Sequence, residues 1–153
     1  MTRSLRIERA GLGQLGEAAE LFQGYLRFYG KCHDQARSRA FVEARLELRD
    51  SVFLLAWDGQ RAVGFAHLYP TYASLALAPS WILNDLFVAP DARSRGVATA
   101  LLEASRTMAV HNGAVEIVLQ TARKNAQARA LYERLGYVLD EEFLVYALPL
   151  PHD

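Results

Sequence analysis

The chain has a single cysteine, Cys32, among 153 residues, so no internal disulfide can form and no cysteine-built metal centre can exist. No partner pattern of a thiol nucleophile accompanies Cys32. The four histidines, His33, His67, His111 and His152, lack close ligand spacing, and no metal is expected. An excess of charge of one sign is also absent: 17 basic residues balance 17 acidic ones, which argues against a general electrostatic grip on nucleic acid or on a membrane surface. The longest clean apolar run, "VFLLAW", is far too short to span a bilayer, and the charged start "MTRSLRIERA" has no signal-peptide core, so a cytoplasmic protein is expected. There is no glycine-rich loop ending in Gly-Lys-Ser/Thr, which argues against nucleotide hydrolysis. Low-complexity stretches and linkers are missing as well, and residues 1–153 read as one domain.

What is present is a globular composition, 52% hydrophobic and 22% charged, with clear periodicities. "LRIERA" alternates like a strand, and residues 15–29 and 36–48 carry apolar side chains at helical spacing. "SVFLLAW" and "AVGFAHLY" are strands joined through "DGQR", a hairpin signal. "WILNDLFV" is a further strand, ended by Pro90, and the helix after it places Val97, Leu101, Ala104 and Met108 on one face. "VEIVLQT" is strand-like, Asn125 is a candidate cap for the next helix, and "GYVLDEEFLVYALPL" predicts two closing strands. The expected order is β, α, α, β, β, β, α, β, α, β, β, an α/β (mixed α+β) arrangement.

The junction "NDLFVAPDARSRGVATALLEASR", Asn84 to Arg106, carries the chemistry. A strand stops at a proline, a basic loop follows, and a helix begins. A helix start offers unpaired N–H groups and the positive end of its dipole, which suit a phosphate. Arg93 and Arg95 add charge, and Gly96 removes a Cβ where an anion must come close to the backbone. The spacing of Arg93, Gly96 and Ala98 resembles the pyrophosphate-binding motif of the GNAT superfamily of acyl-CoA-dependent N-acyltransferases. "NAQARALYERLGY" resembles that family's Asn, helix, Tyr and closing Gly-Tyr segment, with Asn125 and Tyr132 two helical turns apart.

The resemblance implies a central, mixed, mostly antiparallel twisted sheet of roughly six or seven strands flanked by about four helices. It implies acetyl-CoA as co-substrate, with Ser94, Arg95, Gly96, Val97, Ala98 and Thr99 around the pyrophosphate, Arg93 beside them, and Leu86, Phe87 and Val88 offering their backbone to the pantetheine. Asn125 and Tyr132 complete the coenzyme contacts. Tyr132 stands where the family's tyrosine gives a proton to the leaving thiolate, and the Val88 N–H is the implied polariser of the thioester carbonyl.

Tyr25, Tyr29, Asn84 and Asp85 are the candidate contacts of the acceptor amine. "LNDLFV" resembles a segment of the polyamine and histone acetyltransferase branch in which a glutamate stands in place of Asn84. Asparagine cannot accept a proton in that way, and strand alternation turns Asp85 to the opposite face unless a bulge intervenes. The expected activity is acetyl transfer to a small primary amine such as a polyamine or diamine, by direct attack in a ternary complex. The alternatives are a non-catalytic acyl-CoA-binding regulatory module and a protein lysine or N-terminal acetyltransferase. The apolar and aromatic stretch "YPTYASLALAPSWI" adds the expectation of a homodimer.

Overall fold

The computed structural model describes residues 4–152. Its contacts gather into two units, Met1–Gln120 and Thr121–Asp153.

The first unit is a five-stranded sheet in the order β1-β2-β3-β4-β5, where β1 is Leu5–Arg9, β2 Val52–Asp58, β3 Arg61–Ala73, β4 Ala78–Val88 and β5 Ile117–Leu119. The first four strands pair antiparallel and β5 pairs parallel to β4. That change of direction requires a crossover, which α3 (Val97–His111) supplies. Two further helices, α1 (Leu15–Phe28) and α2 (Gln35–Leu48), connect β1 to β2. Asp34 starts α2 by accepting the Ala36 N–H at 3.0 Å, and Gly59, at φ +62°, turns the β2–β3 hairpin that "DGQR" predicts.

Adjacent residues of a strand face opposite ways, and Gly64 and Phe65 show what lies on each side of β3. Phe65 packs with Phe22, Tyr25, Phe53 and Phe87 in a cluster under α1 and α2. Gly64 points at α3: a Cβ there would stand 2.9 Å from the Phe87 carbonyl oxygen, 3.0 Å from Val97 Cγ1 and 3.3 Å from Leu101 Cδ1. Gly64→Ala should therefore cost about 1–3 kcal/mol, because backbone and the first turn of α3 must move apart. Thermal unfolding checks it, with a drop of several degrees expected. On α3 the buried residues are Val97, Leu101, Leu102, Ser105 and Ala109; Ala104 and Met108 lie partly covered beside them.

The second unit contains α4 (Ala126–Arg134). Gly136, at φ +97°, follows its end. The two closing strands expected from "GYVLDEEFLVYALPL" are not there: five strands, not six or seven, occur among the described residues. Alternating apolar side chains make a segment suitable for a strand, yet a strand exists only through its ladder of backbone pairs. Here Asp140 Oδ1 accepts the N–H groups of Glu142 (2.9 Å) and Phe143 (3.1 Å), bending the chain mid-segment, and Pro149 and Pro151 have no N–H to donate.

Candidate active site

β5 is only three residues long, and it pairs with Trp81, Ile82 and Leu83 of β4. Residues Asn84 to Val88 continue past its end, with Asp85 to Val88 still paired to β3 on their other side and Val88 opposite Gly64. An extended group laid along the β5 side of Leu86, Phe87 and Val88 would therefore meet strand backbone that β5 does not occupy. The sheet ends at once beyond Val88. Ala89 N–H donates to the Val63 carbonyl at 2.8 Å, and Pro90–Ala92 form one tight helical turn.

Two left-handed residues, Ser94 at φ +63° and Gly96 at φ +79°, then curl the loop into α3. Gly96 is the N-cap, no side chain caps this helix, and the Gly96 carbonyl takes the helical bond from Ala100. Backbone N–H groups at such a helix start point along the axis, with the dipole's positive end behind them. Ion pairs fasten the loop to the β2–β3 hairpin: Arg61 grips Asp91 with two contacts of 2.8 Å, and Arg95 Nη1 lies 3.9 Å from Asp58 Oδ2. The Arg61 hydrogen bond holds the Asp91 carboxyl below its ordinary value, and the same bond raises Arg61. Both groups are open to solvent, so the pair orients the loop more than it stabilises the fold. Arg93 turns the other way. Its Nε donates to the Val88 carbonyl at 3.2 Å, and its guanidinium lies 5.1 Å from the Phe28 ring centre and 5.9 Å from that of Phe87.

α1 approaches β4 closely because Gly24 has no side chain; a Cβ there would stand 3.0 Å from the Phe87 ring. Tyr25 joins the aromatic cluster, 5.7 Å from Phe65 and 6.4 Å from Phe87, and the more exposed Tyr29 lies 5.0 Å from Tyr25. The next residues of β4 carry a bulge. His67 pairs with Asp85 and Leu68 with Leu83, so Asn84 is the extra residue. Asp85 thereby shares the α1 face with Phe87, while Leu83, two positions earlier, faces the other way with Leu68.

Asp85 is buried, and its Oδ2 lies 3.2 Å from His67 Nδ1; its Oδ1 accepts the Asn84 side-chain amide at 3.2 Å. His67 Nε2 is 2.7 Å from Ser51 Oγ, and the Tyr69 ring lies 4.6 Å from the imidazole. Burial, and then the neighbouring Asp85, push the Tyr69 hydroxyl above its ordinary value, so it stays protonated at neutral pH. His67, Ser51 and Tyr69 were not singled out by sequence reasoning. The one signal was His67 itself, a polar ring inside the apolar run "AVGFAHLY" that needs partners if buried.

In the second unit Asn125 caps α4, its Oδ1 accepting the Ala128 N–H at 3.2 Å. Tyr132 lies two turns on, partly buried, with its ring 5.7 Å from Tyr137 and its carbonyl accepting the Tyr137 N–H at 3.0 Å. Arg129 reaches back to the Arg123 carbonyl at 3.0 Å. Among the described residues no group of three or more His, Cys, Asp or Glu is arranged to hold a metal ion, and no helix is long and apolar enough to cross a membrane.

Residues 18–137 match the Acetyltransferase (GNAT) family. The chain is 41% identical to the Uncharacterized N-acetyltransferase YhfO of Bacillus subtilis, over 96% of this chain and 99% of that protein. It is 27% identical to a probable acetyltransferase of Haemophilus influenzae, covering 85% and 88% of the two chains. Its fold superposes on the crystal structure of a probable acetyltransferase with a TM-score of 0.90, at 41% identity over 96% of this chain and 99% of that one. A strand running past its neighbour into a glycine-started helix is thus found in a chain that belongs to the GNAT family and is an acetyl-CoA-dependent N-acetyltransferase.

Proposed function

We propose that residues 1–153 act as one cytoplasmic acetyltransferase domain that transfers acetyl from acetyl-CoA to a small primary amine, a polyamine or diamine of the kind used by the polyamine branch of the family. The observation that carries this reading is the edge of β4 from Asn84 to Val88, left unpaired by β5 and leading directly into a helix start without a side-chain cap. In this reading Leu86, Phe87 and Val88 hold the pantetheine arm, and the Val88 N–H polarises the thioester carbonyl. Ser94 through Thr99 surround the pyrophosphate, with Arg95 adding charge. Arg93 acts by fixing the loop to the end of β4 through the Val88 carbonyl, in contact range of the coenzyme. Asn125 sets the start of α4 and contacts the coenzyme, and Tyr132 protonates the departing thiolate.

The acceptor meets Tyr25, Tyr29, Asn84 and Asp85. Aromatic faces and a carboxylate suit a cationic amine, and Asp85 shares its face of β4 with the Phe87 ring against which Tyr25 packs. The amine attacks the thioester carbon directly: the new C–N bond forms, the C–S bond breaks, and nitrogen loses a proton while the thiolate gains one. The test is a panel of amines, peptides included, incubated with acetyl-CoA while free CoA thiol is measured. Turnover of diamines or polyamines is expected. Turnover of peptides alone would make the chain a protein lysine or N-terminal acetyltransferase, and coenzyme binding without any turnover would make it a non-catalytic acyl-CoA-binding module.

The same reading includes a homodimer. Leu75 and Leu77 stand almost wholly exposed between β3 and β4, beside the exposed Tyr72, and apolar tips of this kind gain from a second copy. Light scattering at micromolar concentration should give twice the chain mass; the mass of one chain would overturn this part.

A further inference from the structure

We propose that the buried line Ser51–His67–Asp85 is a charge switch that selects a cationic acceptor: with His67 neutral, Asp85 presents one net negative charge to the amine, and protonation of His67 cancels it. The inference rests on the reading of Asp85 as an acceptor contact and adds the residues that set its charge.

His67 is 1% exposed, Ser51 7% and Asp85 8%. Buried polar groups persist when their hydrogen bonds are met, and here they are met in either charge state. In the neutral ring Nδ1–H donates to Asp85 Oδ2 and Nε2 accepts from the Ser51 hydroxyl. In the imidazolium Nε2–H donates to Ser51 Oγ, and the serine hydroxyl needs only to rotate. No backbone movement separates the two states. Ser51 also lines a cleft of about 300 Å³ together with Arg9, Arg49 and His111. At the other end of the line, the second oxygen of Asp85 takes the amide of the exposed Asn84, so the switched charge lies at the margin of the face shared with Phe87.

The surroundings of His67 are mixed. β4 brings Asp85, and β3 brings Tyr69, which stays neutral. From β2 the Phe53 ring lies 5.0 Å away. Arg9 of β1 donates to the Ser51 carbonyl at 3.4 Å, and Arg45 pairs with Asp50 at the end of α2, at 3.1 Å. α1 brings Tyr25 against Phe65 and Phe87. The cleft adds Arg49 and, from α3, His111. His67 is the ring joined directly to Asp85, so it carries the switch, and His111, which lies in the cleft, is the control.

The experiment titrates spermidine and 1,4-diaminobutane by calorimetry into protein saturated with CoA, from about pH 5.5 to about pH 8, with nitrogen NMR of the histidine rings. Affinity should rise with pH by up to tenfold per unit and then level, and the His67 ring signals should move with the same midpoint. His67→Gln should make the affinity independent of pH, Asp85→Asn should lower it by about tenfold or more at the upper pH, and His111→Gln should leave the pH dependence in place. Should His67→Gln not fold, Ser51→Ala removes only a hydroxyl and should shift the midpoint. Flat affinity in the wild type, pH dependence that survives in His67→Gln, an unmoved midpoint in Ser51→Ala, or no binding of either amine would overturn the switch. Titration of acetyl-CoA into the same proteins free of CoA reads the coenzyme site separately, and an absence of binding in the wild type would instead overturn the proposed function.

Discussion

Gly96→Asp should fold and lose most of its affinity for acetyl-CoA. Gly96 sits at φ +79° with nothing within 4 Å of where a Cβ would stand, so the added side chain meets no obstacle. Aspartate enters the left-handed region more readily than most residues, and the strain is about 1–2 kcal/mol. The effect on the ligand is much larger in proportion. A carboxylate at the N-cap of α3 takes the place an anion would occupy, competes for the same N–H groups, and repels a pyrophosphate a few ångströms away. Like charges about 4 Å apart near a protein surface repel by about 4 kcal/mol, so a loss of about 10²-fold or more is expected by calorimetry. Gly96→Ala carries the same backbone strain without the charge and should lose far less. Unchanged affinity in a folded Gly96→Asp protein would place the phosphates elsewhere.

Tyr132→Phe should keep the fold and the acetyl-CoA affinity while lowering kcat by about 10²-fold. A phenol with an ordinary pKa of about 10 is protonated at neutral pH and can supply the proton that the thiolate takes up as the C–S bond breaks. Water can replace it in part, which keeps the loss at the low end for general acid catalysis. The phenyl ring preserves the contact with Tyr137, so a packing role alone predicts a small change in stability and nearly normal turnover. A kcat within about twofold of the wild type, measured where chemistry limits the rate, would refute the assignment. Lost affinity with surviving kcat would make Tyr132 a coenzyme contact and leave the thiolate to take its proton from water.

The order of the first nine elements was legible because each announces itself locally: helices through their apolar faces, the β2–β3 hairpin through Asp58 and Gly59, and the end of β4 through Pro90. The loop from Arg93 to Thr99 was legible for the same reason, since its strand, turn and helix start are contiguous in the chain. The closing strands were misread because pairing is not a local property. Residues 137–150 have a strand's alternation, but alternation does not provide a partner, and the Asp140 turn divides them. The reach of β5 was hidden in the same way: "VEIVLQT" suggests seven residues and only Ile117–Leu119 pair.

By itself, then, the sequence determined the junction of strand, loop and helix, the cap of α4 and the position of Tyr132 two turns along it, all set by spacings within a few residues. Only the tertiary structure decided which way Asp85 faces and what surrounds it. His67 is 18 residues from Asp85 and 16 from Ser51, and the three meet because β2, β3 and β4 lie side by side with one extra residue, Asn84, in β4. A bulge exchanges the faces of every residue beyond it, so the register of three strands, which no single segment encodes, decides whether Asp85 is joined to a buried imidazole or turned toward α3.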